Sequence, residues 1–312
     1  MTITVVGHLS IDEVHGLANA HGGGPLRSDF GGIYFSLISL ASLMKQGDTV
    51  HPVFGVGDKE YEDLKKKLDK HPVIDSSGIF KFKGSTNRVL HFPGSDSQSR
   101  VECSKHISDP IPYSRIKPYL DCDGVLINMV SGFDITLETL DSIRMAVRDS
   151  RTPIHFDFHS LTLGIDQEYK RFRRPLTDWR RWCFMINSIQ MTQEEALGLS
   201  AERYDEPTLI NQLMPLMVNA LIITRGEQGV TAILQNNKKL TRHDVPGLAI
   251  APAIDSMGCG DIFGAAFLYQ YLQTKNYNEA TEFSNHVAGI KSTVLGIEDL
   301  AAALEKAPAS GE

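Results

Sequence analysis

Near the carboxyl end the chain reads Asp255-Ser256-Met257-Gly258-Cys259-Gly260-Asp261, followed at once by an apolar run from Ile262 to Leu272. Two glycines around one small residue, directly before a buried helix, let backbone N–H groups converge at the positive end of that helix. Gly258, Cys259 and Gly260 are therefore candidates for an anion hole. An aspartate in the same helix start can accept the proton of a hydroxyl brought against a phosphoryl group held by those amides, which makes Asp261 the candidate base. A glycine turn with an acidic helix cap is the plainer alternative, and these seven residues alone leave both open. His155-Phe156-Asp157-Phe158-His159 is a second suggestive run. On a strand its alternate positions share one face and would gather three potential metal ligands. With no cysteine or further histidine close by in sequence, polar side chains at the carboxyl edge of a strand are the better reading. Loops of the form G-x-x-x-x-G-K-[ST], G-x-G-x-x-G, H-E-x-x-H and G-x-S-x-G are absent. That argues against a P-loop kinase and against an acyl-transfer triad.

The elements that must position these residues are legible as an alternation. Short apolar, β-branched runs at Ile3 to Gly7, His51 to Val56, Gly124 to Met129, Pro153 to Phe158, Phe184 to Asn187, Ala220 to Thr224 and Val230 to Leu234 read as buried strands. Amphipathic stretches at Tyr34 to Lys45, Tyr61 to Asp69, Leu137 to Arg148, Gln193 to Leu199 and Glu206 to Val218 lie between them. The pattern predicts repeated βαβ units around a mostly parallel sheet flanked by helices. Residues 8–30, glycine-rich around His21 to Pro25, and residues 78–105, which alternate apolar and polar side chains, break the rhythm. The second stretch predicts antiparallel hairpins turning near Gly84 and at Pro93 to Asp96, and the two together predict a small β lid. Residues 1–312 then form one α/β domain with a lid assembled from about 8–30 and 78–105. The tail AAALEKAPASGE reads as a short helix with a frayed end.

Composition bounds the function classes. With 31 Lys and Arg against 38 Asp and Glu the formal charge is −7, and neither Lys65-Lys66-Lys67 nor Arg171 to Arg181 forms a broad basic face. A general nucleic-acid partner is disfavoured. The amino terminus reaches Asp12 and Glu13 too soon for a signal peptide, and no apolar run is long enough for a membrane span, so no membrane association is expected. Four widely separated cysteines without a CxxC pair fit a reducing cytoplasm.

The DSMGCGD run resembles the carboxy-terminal signature of the ribokinase-like, PfkB-type family of carbohydrate and nucleoside kinases, D-T-T/x-G-A-G-D ahead of an apolar helix, with Cys259 at the usual alanine. Further segments follow in the family's order. Gly7 to Asp12 resembles G-x-x-x-x-D, and Phe30-Gly31-Gly32 resembles the start of the paired-glycine motif. Ser36 stands near the place of the usual asparagine, and Tyr34 and Phe35 are bulky for a ribose site. Ile222 to Gly229 resembles the strand and turn T-x-G-x-x-G, Gln190 to Leu197 resembles N-x-x-E-A, and Phe283 to His286 resembles a helix segment bordering adenine.

The resemblance implies a ribokinase-like α/β fold and transfer of the γ-phosphoryl group of ATP, with Mg2+, to a small sugar or related polyol. It implies Asp261 as base, Gly258, Cys259 and Gly260 as anion hole, and Asp12, Gly31, Gly32 and Ser36 as acceptor-binding residues. Thr224, Gly226, Gly229, Asn285 and Asn187 would face the nucleotide, and Glu195 would act on the metal through water. A potassium site near the backbone following Asp255 and a homodimer through the lid are also implied. A nucleoside or cyclitol acceptor, with Tyr34 and Phe35 as an aromatic surface, is the alternative within the family. A sugar sensor that kept the fold without turnover is the alternative outside enzymes.

Overall fold

The computed structural model describes residues 1–16, 26–93, 100–236, 239–248 and 253–307. In chain order the strands are β1 (Thr2–Val6), β2 (Leu9–Val14), β3 (Arg27–Gly32), β4 (Thr49–Gly57), β5 (Ile79–Phe82), β6 (Asn87–Pro93), β7 (Arg100–Lys105), β8 (Gly124–Asn128), β9 (Ile154–Asp157), β10 (Leu163–Ile165), β11 (Arg171–Arg173), β12 (Ser188–Thr192), β13 (Ala220–Thr224), β14 (Val230–Asn236) and β15 (Lys239–Val245). The helices are α1 (Ile33–Leu43), α2 (Tyr61–Leu68), α3 (Tyr113–Ile116), α4 (Leu137–Val147), α5 (Trp179–Cys183), α6 (Gln193–Gly198), α7 (Glu206–Leu213), α8 (Cys259–Thr274), α9 (Tyr277–Ser292) and α10 (Leu300–Lys306).

Strands rich in Val, Ile and Leu with both faces covered give the body sheet, in the order β15-β14-β13-β12-β9-β8-β1-β4-β5. From β13 to β5 neighbouring strands are parallel, while β14 and β15 turn back antiparallel at one edge. Ile3, Val5, Val53, Phe54, Val125, Ile127, Phe156, Ile189 and Leu221 are wholly buried between the helical layers. Each such side chain contributes about 1.5–3 kcal/mol of transfer free energy. Helix α8 is apolar nearly all round because it packs on β8 and β9 and between α1 and α9, so Ile262 to Tyr269 are all buried. Local chemistry starts the other helices. Thr192 and Glu195 close a capping box on α6, and Thr136, Asp205 and Asn276 accept backbone amides at the starts of α4, α7 and α9.

A second sheet, in the order β3-β2-β6-β7, stands apart from the body as a lid. Its outer pairs are antiparallel, but β2 and β6 run parallel, with Ser10 opposite Asn87 and Asp12 opposite Val89. Residues from two distant segments meet there; within 78–105 the expected antiparallel pair of β6 and β7 forms, whereas the hairpin expected to turn near Gly84 does not. The alternating stretch 78–105 is divided between two sheets. Ile79–Phe82 joins the body beside β4 and only β6 and β7 enter the lid. The expected strand at Phe184 to Asn187 starts instead at Ser188, because Trp179–Cys183 is helical and the chain turns before entering the sheet. The glycine-rich run His21 to Pro25, the turn at Gly94 to Asp96 and the end of the tail from 308 lie outside the described residues.

Candidate active site

The strand order reverses at β1. The chain moves from β1 to β4 and β5 on one side, then returns to β8 on the other. Open α/β sheets bind ligands outside the carboxyl ends of the strands at such a switch point. Here the carboxyl ends of β8 and β9 align with the middle of β12, Asn128 opposite Asp157 and Asp157 opposite Gln190, and paired residues of parallel strands share a face. This polar row holds the first turn of α8. Asn128 Nδ2 donates to Asp261 Oδ1 at 2.5 Å, and Gln190 Nε2 donates to the Gly260 carbonyl at 2.9 Å and to Asp157 Oδ2 at 3.2 Å. The helix starts on Gly258, whose φ of 77° is left-handed, and a Cβ there would sit 2.4 Å from the Phe35 ring. Only glycine suits this position.

Asp261 is buried and sits in the floor of a cavity of about 330 Å³ between body and lid. The opposite wall carries Ser10 and Asp12 from β2, Val89 and His91 from β6 and Glu102 from β7. Ser10 Oγ donates to Asp12 Oδ1 at 2.7 Å, and the Gly31 backbone runs so close that a Cβ would meet the Asp12 carboxyl at 2.0 Å. Arg171 enters from β11 and joins lid to body, donating to Ser104 Oγ at 2.6 Å, Ser160 Oγ at 3.0 Å and Glu102 Oε2 at 3.3 Å. His91 lies 3.6 Å from Glu102.

The electrostatics are set by burial and by these partners. Burial pushes the Asp261 carboxyl above its ordinary value of 3.8, while His159, 4.0 Å away, and the hydrogen bond from Asn128 work against that rise. Asp12 is likewise raised by burial. Asp157 is pushed well above 3.8, first by burial and then by the negative charges of Glu195 and Asp261. Burial raises Glu195 as well. Burial also acts to raise Glu102, but the neighbouring His91 and the charge of Arg171 win and hold it down at about 2. The cavity thus sets raised carboxyls, Asp261 on its floor and Asp12 on the lid, beside a firmly ionised Glu102.

Of the residues singled out from sequence, Asp12, Gly32, Gly258, Gly260, Asp261 and Glu195 all line this cavity, with Gly31 behind Asp12. Cys259 does not line it. Its amide donates to the Ser256 carbonyl at 3.3 Å, its thiol faces the Ala288 carbonyl at 3.6 Å, and burial pushes that thiol up to about 11. Among the described residues the open amides of the turn include those of Gly258 and Gly260. Ser36 is wholly buried in α1 and donates to the Asp261 carbonyl at 3.2 Å, so it ties two helices together and does not face the cavity. Asn187 lies at the amino end of β12, away from the strand ends that form the site, where its Oδ1 accepts the Ile154 amide at 2.8 Å. Thr224, Gly226 and Gly229 occupy the carboxyl end of β13 and the turn into β14. Asn285, on α9, donates to the Pro246 carbonyl at 2.8 Å.

The residues not expected are Asn128, Asp157, His159, Glu102, His91 and Arg171. The run HFDFH contained two of them. His155 is taken up by Ser188 and Gln190, whereas Asp157 and His159 flank Asp261. A polar Asn128 closing the apolar strand GVLIN was a further signal.

Two cations implied by the resemblance meet different surroundings. For magnesium, Glu195 and Asp261 line the cavity with Asp157 beside them, and a cation there would offset both the burial and the carboxylate repulsion that raise Asp157. Among the described residues no three His, Cys, Asp or Glu side chains converge tightly enough to ligate a metal directly, so the fit is to a metal held through water. For potassium the place is taken. Behind the 255–261 turn, the wholly buried Lys291 sends its Nζ to the Asp255 carbonyl at 2.8 Å and to Asp255 Oδ2 at 3.6 Å.

A comparison with known proteins agrees with this geometry. Residues 176–301 match the pfkB family carbohydrate kinase. No curated protein sequence matches significantly. Among solved structures, the chain is similar to a pyrophosphate-dependent kinase in the ribokinase family complexed with a pyrophosphate analog and myo-inositol, at TM-score 0.77 and 16% identity, covering 98% of this chain and 100% of that one. It is similar to ribokinase from Giardia lamblia, at TM-score 0.74 and 15% identity over 97% of each chain. The nucleoside kinase of Burkholderia thailandensis, solved with inosine, is similar at TM-score 0.70 and 17% identity, over 96% of this chain and 94% of that one. Among the described residues no helix is long and apolar enough to cross a membrane. The matched stretch holds Glu195, the turn after Thr224 and the whole DSMGCGD segment, and the fold around it is that of the ribokinase-like structures.

Proposed function

We propose that this kinase transfers the γ-phosphoryl group of ATP to a hydroxyl of a small sugar or related polyol, with Asp261 as the base. The observation that carries this reading is the place of Asp261, buried in the first turn of α8 on the floor of a cavity whose other wall is Asp12, His91 and Glu102. Acceptor hydroxyls donate to the Asp12 and Glu102 carboxylates, and the hydroxyl to be phosphorylated points down to Asp261. An alcohol is a far weaker acid than a carboxylic acid, so the carboxylate acts chiefly by orienting it. The proton leaves late, because a loose phosphoryl transition state puts little charge on the attacking oxygen. Asn128 and His159 favour the ionised form of Asp261 against its burial. The Gly258 and Gly260 amides, at the positive end of α8, stabilise charge on the transferring group.

The donor's adenosine would lie along Thr224 and the Gly226 to Gly229 turn toward Asn285. Magnesium, held through water by Glu195 with Asp157 beside it, would neutralise charge on the donor phosphates. Use of ATP and four free cysteines support a cytoplasmic location. The outer edge of the lid at β3 supports a homodimer, which a monomer in light scattering across micromolar concentrations would rule out.

A nucleoside acceptor has a specific observation in its favour. A neighbouring cavity of about 170 Å³ shares Asp12, Phe35 and Met257 with the first and adds Phe30 and Tyr34, a surface for a planar base. A panel of sugars, polyols, cyclitols and nucleosides, each with ATP and with pyrophosphate as donor, tests both readings through formation of the phosphate ester. Turnover of a sugar or polyol with ATP is expected. Binding of such acceptors with no ester formed from either donor would sink the proposal.

A further inference from the structure

Lys291, in the last turn of α9, has no exposed surface, which is costly for an ammonium unless something negative holds it. What holds it is Asp255, through the carbonyl at 2.8 Å and the carboxylate at 3.6 Å. The same residue opens the anion-hole turn. Its carboxylate also accepts the Met257 and Gly296 amides, both at 3.0 Å, and two bonds from Arg27 of the lid at 3.2 and 3.3 Å. Its own amide donates to the Ser292 carbonyl at 3.0 Å. One buried aspartate therefore links the lid, the end of α9 and the turn that presents Gly258 and Gly260.

A monovalent cation in this place would need the Asp255 carbonyl and carboxylate oxygens as ligands. The lysine ammonium already occupies both, and a second positive charge a few ångströms away in a buried site would be repelled. We propose that Lys291 is a tethered substitute for a monovalent cation, fixing Asp255 and the anion-hole turn, so that phosphoryl transfer by this chain does not depend on potassium. Lys291 touches neither substrate nor donor in this scheme and is a positioning residue.

The proposal rests on the kinase reading for its activity arm only; a binding arm stands without it. In the first arm, thermal unfolding is followed at constant ionic strength as choline chloride is replaced by KCl. The wild-type midpoint should not move, whereas Lys291→Ala, which vacates the ammonium's place beside Asp255, should be destabilised and regain part of the loss specifically with potassium. In the second arm, turnover with the acceptor that the panel identifies should change less than about twofold between choline and potassium for the wild type. It should fall about 10–100-fold in Lys291→Ala without potassium, as expected for a displaced catalytic turn, and recover on its addition. A lysine that merely filled space would give no ion-selective rescue. Potassium raising the wild-type midpoint or activating it severalfold would overturn the proposal, and so would a Lys291→Ala variant indifferent to potassium. If that variant fails to fold, the wild-type responses and Lys291→Met, which fills the same volume without charge and should not be rescued, still decide.

Discussion

The two walls of the cavity are built in opposite ways. The floor is local. Seven consecutive residues, 255–261, make the turn and carry the proposed base, and they are locked from behind by the buried Asp255–Lys291 pair and from below by Asn128, Asp157 and Gln190. The lid wall is assembled from β2, β6 and β7 with Arg171 of β11 between them, and Glu102 keeps 36% of its side chain exposed. A wall locked by buried contacts suits the step common to every acceptor, which tolerates little displacement. A wall gathered from separate strands, partly wet, can change acceptor preference without disturbing that step.

The sharpest way to break this contrast is at the floor. Asp261→Asn is expected to keep donor binding but lose about 10²–10⁴-fold in kcat, and unchanged turnover would remove Asp261 as base. Gly258→Ala puts a Cβ into the Phe35 ring at a left-handed φ, so about 10²-fold loss of kcat/KM with about 2 kcal/mol lower stability is expected from kinetics and chemical denaturation. On the lid, Glu102→Gln should act on binding, raising the acceptor KM about tenfold with kcat nearly unchanged. A fall in kcat of that size would merge the two walls into one functional unit.

Two smaller effects come from the titrating groups. Because burial raises Asp261, the acid limb of kcat/KM should lie above the ordinary carboxylate range, activity being lost as pH falls through that value. Asn128→Ala removes a bond that favours the ionised form and should move the limb to higher pH. Asp157, raised by burial, Glu195 and Asp261, holds its proton more tightly folded than unfolded, so the wild type loses stability as pH rises above 3.8 toward the folded value. Asp157→Asn is therefore expected to raise stability by about 1 kcal/mol near neutral pH, about 2 °C in Tm, with a smaller gain in acid. A loss of stability at pH 7 would show that its ionised form is needed to hold the floor.

Legibility in the sequence followed the same division. The βαβ rhythm, the glycine turn with Asp261, the run from Gly7 to Asp12 and the pair Gly31-Gly32 are short-range patterns, each written within a few residues. Glu102, His91 and Arg171 carry no such pattern, since they become neighbours only when β6, β7 and β11 meet around the cavity. Ser36 and Asn187 were misplaced for a related reason. Spacing along the chain put them near the motifs, but whether a side chain faces the cavity or its neighbours depends on the turn of α1 and on where β12 begins.

By itself the sequence determined an α/β architecture and the glycine turn that carries Asp261, because helix and strand periodicity and glycine-dependent turns are local physics. Only the tertiary structure decided what surrounds that turn. It sent Ile79–Phe82 to the body and not the lid, aligned Asn128, Asp157 and Gln190 in one register, and placed a buried ammonium where a free cation was expected. Those outcomes depend on strand register and on which distant side chains share a low-dielectric space, quantities set by the packing of the whole chain.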